Sequence, residues 1–244
     1  MELLKTHKVF ILFSQKLFKL IFLGLMVISF MPEVLFGQTH IRLMEKDSLI
    51  DLFQNKSICI SKNFPDSLVL PIQVALSHYP ELNNAKIRFV FRKQSSPLSA
   101  AVSWTSFFKR ASKRIYFVSI SSNVHKDIMP IQFNNLSFNS QIGVIGHELG
   151  HIKFFYAHST WFLLKRYIRN LSRRSVDQYE FNTDLICIEH NLGFQLYQWS
   201  KEVRSKLNLK HWRGLRLLNH SYKERYMDPE TILCLMKMHN FIID

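Results

Sequence analysis

The segment His147-Glu148-Leu149-Gly150-His151 constrains this chain more than any other stretch. On a helix, residues i and i+4 share a face, so two imidazoles at this spacing can reach one metal ion. Glu148 follows the first histidine and so lies beside that ion, where a carboxylate can take a proton from water. The surroundings read as a helix, because Ile142, Ile145, Leu149, Ile152 and Tyr156 recur at 3- and 4-residue steps. Asn139 or Ser140 is its expected N-cap. Gly143, Gly146 and Gly150 each weaken a helix by roughly 1 kcal/mol relative to alanine. Their presence predicts another backbone packed close against that side.

A hydrolytic zinc site needs three protein ligands and an open position. The candidate third ligand lies downstream. Ser175 and Gln178 have the spacing of a capping box, and Gly193 reads as a C-terminal stop, which predicts a helix between them. Glu180 and Asp184 stand at i and i+4 on that helix and share a face. Glu180 is the expected ligand. Asp184 is the expected acceptor for the outer N–H of a ligating histidine, which fixes its tautomer. The competing pattern H-E-x-x-H-x-x-G-x-x-H is not met. Its glycine position holds Phe154, its third histidine position holds Ala157, and His158 comes one residue late.

Residues 143–152 (Gly-Val-Ile-Gly-His-Glu-Leu-Gly-His-Ile) followed by Tyr-Glu-Phe-Asn-Thr-Asp at 179–184 resemble the gluzincin zinc metallopeptidases. The HtpX-like branch is the nearest, with H-E-x-x-H followed by E-x-x-x-D on a later helix. The resemblance covers roughly residues 139–193. It implies a zincin-like fold, one Zn2+ per chain held by His147, His151 and Glu180, Glu148 as catalytic base, Asp184 as partner of a ligand, and a peptide or protein as substrate. Thr183 departs from the family, which commonly has alanine before its aspartate.

Lys5, Lys8, Lys16 and Lys19 precede an apolar run of 12 residues, 20–31. That is short of the roughly 20 a spanning helix needs. Residues 1–37 are therefore read as a cleaved export signal, with an uncleaved anchor as the competing reading, and the product as periplasmic or extracellular. Residues 38–244 are expected to form one domain. Cleavage would remove four lysines and two glutamates and leave 28 basic and 16 acidic residues, a net +12. This charge suits an anionic envelope surface. Because the basic residues are dispersed in sequence, a solvated surface is its expected role, and no nucleic-acid motif is present. Three cysteines, Cys59, Cys187 and Cys234, leave at least one thiol unpaired. Cys187 is read as a core thiol.

The expected fold class is α+β: a small, mainly antiparallel sheet packed on the H-E-x-x-H helix, then a helical C-terminal part. Strands are expected at 86–93, 100–104 and 114–121, the last running beside the cleft or buried within the sheet. Helices are expected around 48–54 and 71–78, and near the chain end, where Asp228 caps and Pro229 fills the first turn. The aromatic, basic stretch 154–170 is read as the end of the core helix and then a hairpin returning Glu180 to the metal. A membrane-facing or gating element is its alternative. For an oxyanion donor, Tyr156, His158, Tyr179, His190, His220, Tyr222 and Tyr226 are all of suitable type.

Overall fold

Among the described residues, the helix that carries both histidines is packed by helices on several sides and by the sheet. In the computed structural model, the described residues are 43–53, 68–122, 125–210 and 224–238. They all belong to one compact unit, His40–Asp244. The expected signal at 1–37, together with Cys59, His220 and Tyr222, lies outside them. The elements in order are α1 (Lys46–Phe53), α2 (Val69–Ser77), β1 (Lys86–Arg92), β2 (Leu98–Val102), β3 (Ile115–Ser121), α3 (Phe138–Ala157), α4 (Thr160–Arg169), α5 (Arg173–Cys187), α6 (Gly193–Lys206) and α7 (Pro229–Met238). The fold is α+β, with a small sheet and mostly helices.

The sheet is mixed rather than mainly antiparallel. Its order is β1-β3-β2, with β1 parallel and β2 antiparallel to β3. β3 is buried on both faces over most of its length. Tyr116, Val118 and Ile120 are fully buried, and Ser119 and Ser121 on the opposite face are buried too. As the most completely buried of the three strands, β3 takes the central place between β1 and β2. The edge beside the cleft, expected of the last strand, therefore belongs to β2, which packs along α3.

Helix α3 is buried around most of its circumference, as a helix enclosed on all sides must be. Its start lies at Ser137, before the expected caps. Asn139 is occupied elsewhere: its amide pairs with both the N–H and the carbonyl of Met44. Ser137 is held by Glu202 of α6, which accepts from its N–H and its hydroxyl. The glycines do permit close approach. A Cβ on Gly143 would run into the Gln195 carbonyl of α6, and one on Gly150 would stand 3.0 Å from the Thr183 methyl of α5. At the other end, buried Arg114 donates to the carbonyls of Phe155 (2.9 Å), His158 (2.8 Å) and Lys109 (3.0 Å), and to Thr160 Oγ1 (3.0 Å). A guanidinium there satisfies helix-end carbonyls and complements the negative end of the helix dipole.

Helix α5 begins two residues before the expected capping box, after Ser172. Ser175 instead accepts from Arg166 through its hydroxyl (3.1 Å) and its carbonyl (2.6 Å). Gly193 is not a stop either. The α5 helix breaks in a wide turn over Ile188–Leu192, where Asn191 takes the left-handed conformation at φ 59°. Asparagine tolerates that region better than other side-chain-bearing residues. Gly193 opens α6 with an ordinary helical backbone and leaves room for Met236 of α7. Arg204 of α6 then binds Asp228 (2.9 Å) and the Tyr226 carbonyl (3.0 Å), which fixes 224–228 across the helices.

The contact at Gly143 is with backbone, whereas the contact at Gly193 is with a flexible thioether. Gly143→Ala should therefore lower the stability measured by chemical denaturation by about 3 kcal/mol, and Gly193→Ala by at most about 1 kcal/mol. Equal losses would show that α3 and α6 can move apart.

Candidate metal centre

Five side chains singled out by spacing meet at one place. His147, Glu148 and His151 come from α3 and are all buried, and Glu180 and Asp184 come from the facing side of α5. Glu180 Oε2 lies 3.2 Å from His147 Nε2 and 3.3 Å from His151 Nε2. The three potential donor atoms of His147, His151 and Glu180 lie within 4.8 Å of one another, so this group could hold a metal ion.

The outer nitrogens decide which way the imidazoles face. His147 Nδ1 donates to Asp184 Oδ1 at 2.7 Å, as the spacing predicted. His151 Nδ1 stands 3.2 Å from Thr183 Oγ1. The Thr183 hydroxyl already gives its proton to the Tyr179 carbonyl at 2.9 Å, so it accepts from the histidine. Both Nδ1 atoms are thus held by adjacent residues of α5, and both Nε2 atoms turn toward Glu180. Sequence reasoning noted Thr183 only as a departure from a family pattern. Its residue type, a small side chain able to accept and donate at once, was the available signal.

Charge at the site is cooperative. Burial opposes ionisation of His147 and Glu180, but their neighbours prevail. Asp184 and Glu180 hold the His147 imidazole well above its usual range, and His151 and His147 hold the Glu180 carboxyl well below its own. A place where carboxylates favour positive charge this strongly, with two imidazole nitrogens converging, fits a divalent cation by the chemistry of its donors. Glu148 differs. Burial pushes its carboxyl up, partly offset by His151 and His147 and by a backbone hydrogen bond from Ala100 of β2.

A cavity of about 350 Å³ opens on this group, lined by Ser99, Ala100 and Ala101 of the β2 edge and by Arg166, Tyr179 and Tyr226 among others. An apolar chamber of about 230 Å³ adjoins His147 and Glu148 and is lined by Ile128, Ile131, Leu136, Val144 and Trp199. Of the aromatic and histidine candidates for a further donor, Tyr179 and Tyr226 border the cavity. Their rings lie 5.0 Å from His151 and 5.6 Å from His147, and burial pushes both hydroxyls up. His158 is remote from this role: its Nδ1 pairs with the Phe154 carbonyl and its ring stacks on Phe162. His190 is engaged with Glu81 at 2.8 Å, and Tyr156 packs on Tyr116. Cys187 is a buried free thiol beside the Gly143 carbonyl, and Cys234 is a half-buried free thiol. No family model, curated protein or solved structure matches this chain.

Loss of an outer partner frees an imidazole to turn. Asp184→Asn should weaken divalent-metal affinity by about 10- to 100-fold, and Thr183→Val by a smaller factor, in a competition titration against a chelator. An unchanged affinity in both variants would show that packing alone orients the rings.

Proposed function

We propose that this chain is a zinc-dependent metallopeptidase, with His147, His151 and Glu180 as ligands and Glu148 as general base. The observation that supports it most is the pair of outer hydrogen bonds from His147 and His151. They aim both Nε2 atoms at the Glu180 carboxylate, with Glu148 alongside. Two nitrogens and one oxygen are the donor set of a hydrolytic zinc site, which keeps a further position open. When bound there, zinc supplies Lewis-acid polarisation of a carbonyl and lowers the pKa of water.

The chain's own residues carry the remaining work. Glu148 accepts a proton from the attacking water and passes it to the leaving amine as the C–N bond breaks. Its burial keeps that proton within the site. The edge of β2 borders the cavity, and an extended peptide entering there would join the sheet as a further strand with little dependence on sequence, taking the Ala100 N–H from Glu148. The apolar chamber beside Glu148 accepts a nonpolar side chain of that peptide. The Tyr179 and Tyr226 hydroxyls are the donors at hand for a developing oxyanion. With the leader expected at 1–37, the enzyme would act on peptides or proteins outside the cytoplasm, with no nucleic-acid partner.

Metal analysis and peptide cleavage together test this reading. The full chain should carry zinc at stoichiometric level, and Glu180→Ala should lose most of it. Glu148→Gln should retain the metal and cut a peptide library roughly a thousandfold more slowly. A chain that takes up no zinc would overturn the reading, and so would undiminished cleavage by Glu148→Gln. Zinc uptake without turnover of any peptide would leave a metal-binding protein.

A further inference from the structure

Single exposed apolar side chains are ordinary on a protein surface, but a collection of them is not. Eleven large apolar side chains are exposed among the described residues, and seven of these lie on two stretches, 104–108 and 161–171. Trp104 and Phe108 are each 77% exposed, Trp161 67% and Leu171 87%. The two stretches form one surface. Thr160 Oγ1 donates to the Phe107 carbonyl at 3.1 Å, and Arg114 reaches from the end of the first stretch to His158 and Thr160. Buried Phe107 is the hub: its ring lies 5.8 Å from Trp104, 5.4 Å from Phe108 and 5.9 Å from Tyr167.

The charge along these two stretches has one sign. Residues 103–126 and 149–176 contain no aspartate or glutamate. Lys109, Arg110, Lys113, Lys165, Arg169 and Arg173 are exposed there. Lys109, Arg110 and Lys113 follow the first stretch and Lys165, Arg169 and Arg173 lie on or beside the second, and the fold joins the two stretches. On α4, Trp161, Lys165 and Ile168 follow one another at 4- and 3-residue steps along one stripe, and the Lys165 ammonium sits 5.6 Å above the Trp161 ring. Exposed tryptophan and isoleucine with long cationic side chains between and beside them form the pattern of a helix lying in the plane of a bilayer interface. Tryptophan suits the headgroup level, and lysine and arginine extend their charges past the apolar layer. No helix among the described residues is long and apolar enough to cross a membrane.

We infer that the face formed by 104–110 and α4 docks on an anionic lipid bilayer, with Trp104, Phe108, Trp161 and Ile168 inserted at the interface and the basic residues among lipid phosphates. A bilayer interface meets the charges, the aromatic rings and the aliphatic Ile168 and Leu171 together, and this is the occupant that the combination favours. The inference stands on surface geometry and does not need the hydrolytic reading. It has a bearing on the cavity, because Leu163, Arg166 and Tyr167 of the same helix line it. Docking would hold the cavity next to the lipid surface.

The test is vesicle sedimentation of the full chain, combined with amide hydrogen exchange to locate the contact. Vesicles of phosphatidylcholine and phosphatidylglycerol should bind at least about tenfold more tightly than phosphatidylcholine alone, and should slow exchange over 103–110 and 160–171. Lys165→Gln with Arg169→Gln should weaken binding by roughly fivefold per charge. Trp161→Ala with Ile168→Ala should weaken it about tenfold. All four positions are exposed, so zinc content and melting temperature should be those of the parent. Unchanged vesicle affinity in both variants would overturn the inference. So would slowed exchange confined to other segments, or equal binding to polyglutamate or an oligonucleotide that the Trp161→Ala and Ile168→Ala variant retains.

Discussion

Asp184 is a fully buried carboxylate with both oxygens engaged. One accepts from His147 on α3, and the other accepts from the Met227 N–H at 2.8 Å. A buried charge without such partners costs several kcal/mol. The segment bearing Met227 must therefore come to α5, and α5 must come to α3, for this one group to be tolerated. The glycines of α3 make the approach possible by letting Gln195 and Thr183 close in. The arrangement of α3, α5, α6 and residues 224–228 follows from meeting that requirement. The sheet, by contrast, adds a wall.

The central helix and its facing carboxylates could be read from spacing because helical geometry is local. His147 and His151, like Glu180 and Asp184, are one turn apart in any helix, so their shared faces did not depend on tertiary structure. Gly143 and Gly150 also announced the close neighbours they have. Other features were settled by long-range competition. Asn139 was free to cap α3 until Met44 claimed its amide. Ser175 was free to form a capping box until Arg166 reached it. The parallel pairing of β1 with β3 depends on where a strand buried on both faces is placed, which alternation within one strand does not encode.

Tyr226 shows a different limit. It is distant in sequence from every metal-site residue and lies in no recognisable motif. It reaches His147 because Arg204 and Asp228 fix the segment around it. Thr183 was in plain view, but its role needs the geometry of two hydrogen bonds at once, one to Tyr179 and one to His151. Residue type gave the capacity for that role, and only the packing of α5 on α3 gave it a partner.

The bond between Asp184 and Met227 spans 43 residues. It ties α5, and through Asp184 the His147 imidazole of α3, to the segment 224–228. A polypeptide emerging from synthesis will have exposed both histidines and Glu180 well before residue 227 appears. Until that stretch docks, one oxygen of Asp184 lacks its native donor, and the imidazole it orients is less firmly held. The centre is therefore fully assembled only after residue 227 has been made and has docked on Asp184.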